Sequence, residues 1–170
     1  MANDSRACQE LTARFLANRA LVIAANRGPV TLSRADDGSV KLQRGGGGLV
    51  TALSGLCQHA GNATWIASAQ TEVDAEWGEG EIELDSGSSI QMRFLSPDPD
   101  AYEGYYNVIA NPLLWFLQHS MWDVPRAPVI DRETWQAWNS GYGVVNQLFA
   151  EAIARQVLSL IHISEPTRLR

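Results

Sequence analysis

Between residues 20 and 57 the sequence passes through three hydrophobic patterns, and that succession constrains the fold more than any other feature. Ala20–Ala25 is a short, wholly apolar run, the pattern of a parallel strand buried on both faces. Val30, Leu32, Val40 and Leu42 then alternate with polar residues on either side of Ala35-Asp36-Asp37-Gly38, which reads as a hairpin. Four glycines, Gly45–Gly48, follow directly. After them Leu49, Leu53, Leu56 and Cys57 recur at i, i+4, i+7 and i+8, a helical stripe. Strand, glycine turn and helix in this order predict an α/β domain with a mostly parallel sheet.

The remaining chain extends the pattern. Asp4 or Ser5 can cap a first helix with Ala7, Leu11 and Phe15 on one side. Thr64–Ala67 suggests a second buried strand, and Ile82, Leu84, Ile90, Met92 and Phe94 flank Ser86-Gly87-Ser88 as a second hairpin. Helical patterns run from about Asp100 to His119. A longer helix is expected from Asp131, its cap, to about Val157, with Trp135, Trp138, Tyr142, Val145, Phe149, Ile153 and Val157 on its apolar side. Beyond it, residues 158–170 resemble translated sequencing-adapter read-through, and a β-branched stretch meets Pro166 with no capping signal. The expected division is therefore 1–157 as an incomplete N-terminal domain and 158–170 as a non-native tail. The alternative for the tail is a genuine last helical turn with a loose end.

Composition excludes several classes. With 45% apolar and 19% charged residues in 170, the chain is globular rather than disordered. Its longest apolar run is far short of the roughly 20 residues that span a bilayer, and charges through the first 19 residues leave no signal-peptide core. Two cysteines, Cys8 and Cys57, make no disulfide framework, so the cytoplasm is the expected compartment. The net charge of −6 argues against nucleic acid as a partner. Ten acidic residues and one basic residue fall in 72–103, most simply a solvated face.

Three clusters can carry chemistry. Asn26-Arg27-Gly28-Pro29 follows the first strand, where open α/β sheets bind ligands, and Arg27 offers a planar fork of donors suited to a phosphate or carboxylate. The plain alternative is a surface arginine beside a Gly-Pro turn. Arg44-Gly45-Gly46-Gly47-Gly48 opens a helix whose free amides favour an anion, but it lacks both the dinucleotide fingerprint and the P-loop lysine. On spacing alone a flexible hairpin exit is as good a description. In Tyr105-Tyr106-Asn107-Val-Ile-Ala-Asn111-Pro-Leu-Leu114-Trp115, Tyr106 and Trp115 can wall a sugar pocket or simply fill the core. His59 and His119 have no partner at metal-ligand or triad spacing, and no Ser/His/Asp or Cys/His constellation is present in the pattern.

Taken together, the order of these clusters resembles the N-terminal region of the trehalose-6-phosphate synthases, retaining glycosyltransferases of family 20. The resemblance rests on Asn26-Arg27, Gly47-Gly48-Leu49, the Tyr105-Tyr106-Asn107 to Leu114-Trp115 run, and Tyr142-x-x-Val145-Asn146 with Phe149-Ala150. It covers roughly residues 20–157. Two departures stand out: Trp65 is kept but Ser68 occupies the position of a second family tryptophan, and residues 72–96 are less family-like than their flanks.

The resemblance implies a partial N-terminal Rossmann-like domain of a two-domain GT-B glycosyltransferase. It implies glucose transfer from a nucleotide sugar, usually UDP-glucose, to glucose-6-phosphate. In that frame Arg27 binds a phosphate, Gly47 and Gly48 face the donor diphosphate, and Tyr106 and Trp115 line the acceptor site. No catalytic residue, metal ligand or cofactor is implied within this stretch, because the family's His-Asp motif and its diphosphate-holding arginine and lysine belong beyond Val157. The partners implied are small molecules, a nucleotide sugar and a sugar phosphate. Whether a complete protein forms a homo-oligomer is not legible. The chain alone is expected to be inactive. The competing expectations are a sister transferase acting on glycerol-3-phosphate or coupling cyclitols, and a non-catalytic sugar-phosphate sensor.

Overall fold

The computed structural model describes residues 2–84, 87–121 and 127–164. They divide into two compact units, one of residues 1–96 and 153–170, the other of residues 97–152. No helix among the described residues is long and apolar enough to cross a membrane.

The first unit is α/β, as expected. Helix α1 (Ala2–Leu16) leads into β1 (Ala20–Ala24), the hairpin β2 (Val30–Arg34) and β3 (Val40–Arg44), and α2 (Gly48–Cys57). Then come β4 (Asn62–Ser68), α3 (Glu72–Trp77), β5 (Glu79–Glu83) and β6 (Ser89–Leu95). A four-stranded sheet has the order β1-β4-β6-β5, and β2-β3 form a separate two-stranded sheet. β1, β4 and β6 are parallel, while β5 returns antiparallel to β6. The second hairpin thus forms where its alternation placed it, with Ile82, Ile90, Met92 and Phe94 buried. Its turn residues 85 and 86 lie outside the described residues.

Several expected faces shift. β4, not β1, is the strand buried on both faces, because β4 has a neighbour on each side and β1 borders the sheet. Trp65, Ile66 and Ala67 are fully buried, whereas only Ile23 is buried in β1. In the first hairpin Val30 and Leu32 are buried, but Val40 and Leu42 on the outer strand are exposed. In α2 the inward stripe is Val50, Leu53 and Cys57 rather than one beginning at Leu49, which is 66% exposed. In α1, Leu11 and Phe15 are exposed and Leu16 is buried.

Helix α3 lay hidden in the acidic block. Thr71 caps it in a reciprocal capping box with Asp74, whose side chain is fully buried. The block is therefore not uniformly a solvated face.

The second unit is helical. Asp98 caps α4 (Pro99–Glu103), which widens into a π-helical segment, Gly104–Leu114, before α5 (Trp115–Gln118). Asp131 caps α6 (Arg132–Ala137) as expected, and a second π-helical segment, Trp138–Tyr142, leads into α7 (Gly143–Ser164). Ile109, Leu113, Val145 and Phe149 are buried, but Trp135, Trp138 and Val157 of the expected apolar side are exposed. α7 passes Val157 and continues to Ser164. Nothing in residues 158–164 breaks a helix, and the first breaker is Pro166. Residues 165–170 lie outside the described residues.

Candidate functional site

In the first unit the chain leaves β1 alongside β4. The Ala25 amide donates to the Ile66 carbonyl at 3.0 Å, and the Ser68 amide donates to the Asn26 carbonyl at 3.2 Å. This pairing carries Asn26-Arg27 to the carboxyl end of the sheet, where α/β folds present ligand-binding loops. Gly28 and Pro29 turn inward and are buried, while Arg27 is exposed.

The glycine run returns to the same place. Gly45 donates its amide to the Pro29 carbonyl at 2.7 Å. A Cβ on Gly45 would clash with the Gly28 carbonyl oxygen, so only glycine permits this approach. Gly47 then adopts φ 123° and ψ 150° as the N-cap of α2, a backbone state closed to most side chains. Its carbonyl accepts the Thr51 amide at 3.0 Å and the Thr51 hydroxyl at 3.1 Å. The N-terminus of α2 has no side-chain cap and no acidic residue in its first turn, and Gly46, Gly47 and Gly48 are exposed, so its partial positive charge lies at the surface. Gly46 and Gly48 have open space where a Cβ would stand. A small cavity nearby, lined by Pro29, Leu42, Ser54, Gln58 and Glu83, includes none of Arg27, Gly47 and Gly48.

In the second unit Tyr106 is half-buried and stacks on Tyr102 with ring centroids 5.9 Å apart. Tyr105 stacks on Tyr142 at 5.8 Å; burial, then the neighbouring tyrosines Tyr102, Tyr142 and Tyr106, push its phenol above the ordinary range. Trp115 is 42% exposed and stacks on His119 at 4.3 Å. The His119 Nδ1 lies 2.7 Å from the Trp115 carbonyl oxygen, a contact that requires Nδ1–H as donor. Core filling does not account for Trp115, since Ile109 and Leu113 supply the buried face of this segment. Tyr106 lies within the π-helical segment and Trp115 opens α5, and each ring stacks on partners of its own, Tyr102 for the first and His119 for the second.

The structure thus ties the turn after Arg27 to the glycine loop within one unit through the Gly45–Pro29 bond, and places Tyr106 and Trp115 in the other unit, stacked on separate partners rather than on each other. One structural residue of the glycine region escaped the sequence reading. Asp74 was legible only as part of Thr71-Glu72-Val73-Asp74, a capping-box pattern inside an acidic run.

A family model, glycosyltransferase family 20, matches residues 19–159. The chain belongs to that family. The trehalose-6-phosphate synthase of Mycobacterium sp. (strain KMS) is 37% identical over 134 residues, covering 79% of this chain and 24% of the relative. That of Mycobacterium avium (strain 104) is 36% identical over 140 residues, covering 81% and 26%. A solved trehalose-6-phosphate synthase structure, OtsA, superposes with a TM-score of 0.52 at 20% identity, over 81% of this chain and 26% of that one, and so shares the fold. The chain spans about a quarter of the length of these family members.

Proposed function

We propose that this chain is the acceptor-side part of a family 20 glycosyltransferase. The complete enzyme moves glucose from UDP-glucose to glucose-6-phosphate with retention and makes trehalose-6-phosphate. Residues 1–157 then form an incomplete Rossmann-like domain of a two-domain GT-B enzyme, residues 158–170 are not native to it, and the 170-residue chain alone does not catalyse transfer. Family membership and the names of the mycobacterial relatives support the class of reaction.

The observation that carries the site is the union of Arg27 with an uncapped glycine loop: the Gly45–Pro29 hydrogen bond holds them at the carboxyl end of the sheet. Gly47 and Gly48 offer backbone amides to the donor diphosphate, and the open space at Gly48 leaves room for it. Arg27 takes a phosphate by a charge-assisted contact worth about 1.5–3 kcal/mol, enough for tenfold or more preference for a phosphorylated acceptor. Tyr106 and Trp115 offer ring faces to the acceptor sugar. The acceptor hydroxyl attacks the anomeric carbon on the face from which the diphosphate departs, and a diphosphate oxygen takes its proton. The configuration is kept, and no protein nucleophile, metal or further cofactor is needed from this segment. Positioning and charge stabilisation supply the catalysis.

The test is to incubate the complete polypeptide, and separately the 170-residue chain, with UDP-glucose and glucose-6-phosphate. Release of UDP together with a doubly α-linked disaccharide phosphate by the complete polypeptide alone is expected. Absence of that product there would overturn the assignment.

Ser68 favours a second reading. It is fully buried at the carboxyl end of β4, with its amide bonded to Asn26 beside Arg27. A small residue at this place suits a sister transferase with a different acceptor, and glycerol-3-phosphate or a cyclitol in the same assay would reveal it.

A further inference from the structure

Resting on the reading of the glycine loop as a diphosphate cradle, we propose that Asp74 is its positioning residue, acting through strand β2. The buried carboxylate divides its two oxygens between two elements. Oδ2 accepts the amides of Gln70 at 2.9 Å and Thr71 at 3.2 Å, which closes the entry to its own helix. Oδ1 accepts the Leu32 amide at 2.7 Å, a bond that a helix cap does not require. The Thr71 hydroxyl, which accepts the Asp74 amide, donates to the Leu32 carbonyl at 2.8 Å. Both backbone groups of Leu32 are thus held by α3.

This grip matters because no backbone ladder among the described residues ties the hairpin to the main sheet. β2 and β3 pair only with each other and form no ladder with the four-stranded sheet. A lone two-stranded hairpin is marginal in water. Leu32 pairs with Leu42 at a register position where its amide and carbonyl point away from β3, so side chains of α3 complete an edge that no strand covers. Burial of Val30 and Leu32 and the exposed Arg34–Glu76 ion pair add to the attachment. The open end of the same hairpin carries Arg27-Gly28-Pro29 on one strand and Gly45–Gly48 on the other, joined by the Gly45–Pro29 bond. Fixing the middle of β2 therefore fixes the direction in which the Gly47 and Gly48 amides face.

Asparagine at this position keeps one good acceptor and sets an NH2 group against backbone N–H donors, so at least one of the three amides loses its partner. The experiment is amide hydrogen exchange by NMR on the 170-residue chain with Asp74→Asn. Leu32, Gly45 and the β2–β3 ladder are expected to exchange about tenfold faster or more, with Ile66 and Met92 in the central sheet unchanged. Unchanged rates at Leu32 and Gly45 would overturn the proposal, as would an equal rise at Ile66 and Met92, which marks general destabilisation. Should Asp74→Asn fail to fold, Thr71→Ala gives the same local pattern and Thr71→Ser restores wild-type rates; equal rates in both variants would refute the idea. In a second arm, pyrophosphate is titrated while the Gly47 and Gly48 amides are followed. Silence in the wild-type chain sinks the diphosphate reading, whereas the exchange result still decides the hold on the loop. A wild-type response that Asp74→Asn weakens severalfold supports the whole proposal, and an undiminished response refutes positioning.

Discussion

The amide of Gly45 donates to the carbonyl of Pro29 at 2.7 Å, and this bond closes the open end of the first hairpin. It brings the residues after β1 and the residues before α2 to one place although they lie on different strands. A side chain at Gly45 cannot fit, while one at Gly48 meets open space.

Gly45→Ala and Gly48→Ala should therefore separate folding from ligand approach. Gly45→Ala must break the Pro29 bond and should destabilise the chain by about 1–3 kcal/mol. Gly48→Ala, at the first position of a helix, should leave stability within about 1 kcal/mol or raise it slightly. Urea unfolding of both variants checks this, and equal losses would contradict it.

Trp65 is the centre of the first unit, with no exposed surface and no hydrogen-bond partner for its indole N–H. Trp65→Ala should cost about 3–5 kcal/mol through the cavity it leaves. Trp65→Phe should cost clearly less, since it removes an unpaired buried donor along with part of the ring. Equilibrium denaturation measures both.

Acid should loosen the start of α6. The Thr134 amide donates to Asp131 at 2.9 Å, and this bond, with the Thr134 hydroxyl, holds the Asp131 carboxyl below its ordinary value of 3.8. A depressed folded value means that the contribution is present above pH 3.8 and fades as pH falls through the depressed value. Circular dichroism across pH 2–6 should show this acid step in the wild type and a smaller one in Asp131→Asn.

The two thiols should react in turn. Cys8 is exposed, whereas Cys57 is buried at the end of α2 and burial pushes its thiol above 9.0. A thiol reagent at neutral pH should label one cysteine in the native chain and the second only on unfolding. Immediate labelling of both would show that α2 does not pack as described.

In the complete enzyme, Trp115→Ala should raise the acceptor KM about tenfold or more with a smaller change in kcat, and leave the donor KM unchanged. A rise confined to the donor would move Trp115 out of the acceptor site.

Periodicity worked where local pattern and environment agree. The two hairpins, β4 and the Asp131 helix start follow from alternation, apolar runs and capping chemistry visible within a few residues. It failed where the neighbours decide. Val40 and Leu42 alternate as well as Val30 and Leu32, yet only the strand facing the core buries its residues. Asp74 looked like one carboxylate among ten, and only its distant partner Leu32 explains why it is buried.

The sequence by itself determined the α/β class and the order of strand, glycine turn and helix, and it named the candidate residues whose side chains suit a phosphate or a sugar. These depend on side-chain type and short spacing. The tertiary structure alone decided that β4 rather than β1 is central, and that Asp74 holds β2. Those outcomes depend on strand order and on a hydrogen bond between residues 42 positions apart. No short-range pattern records them, because each is set by which backbone groups find partners once the chain has packed.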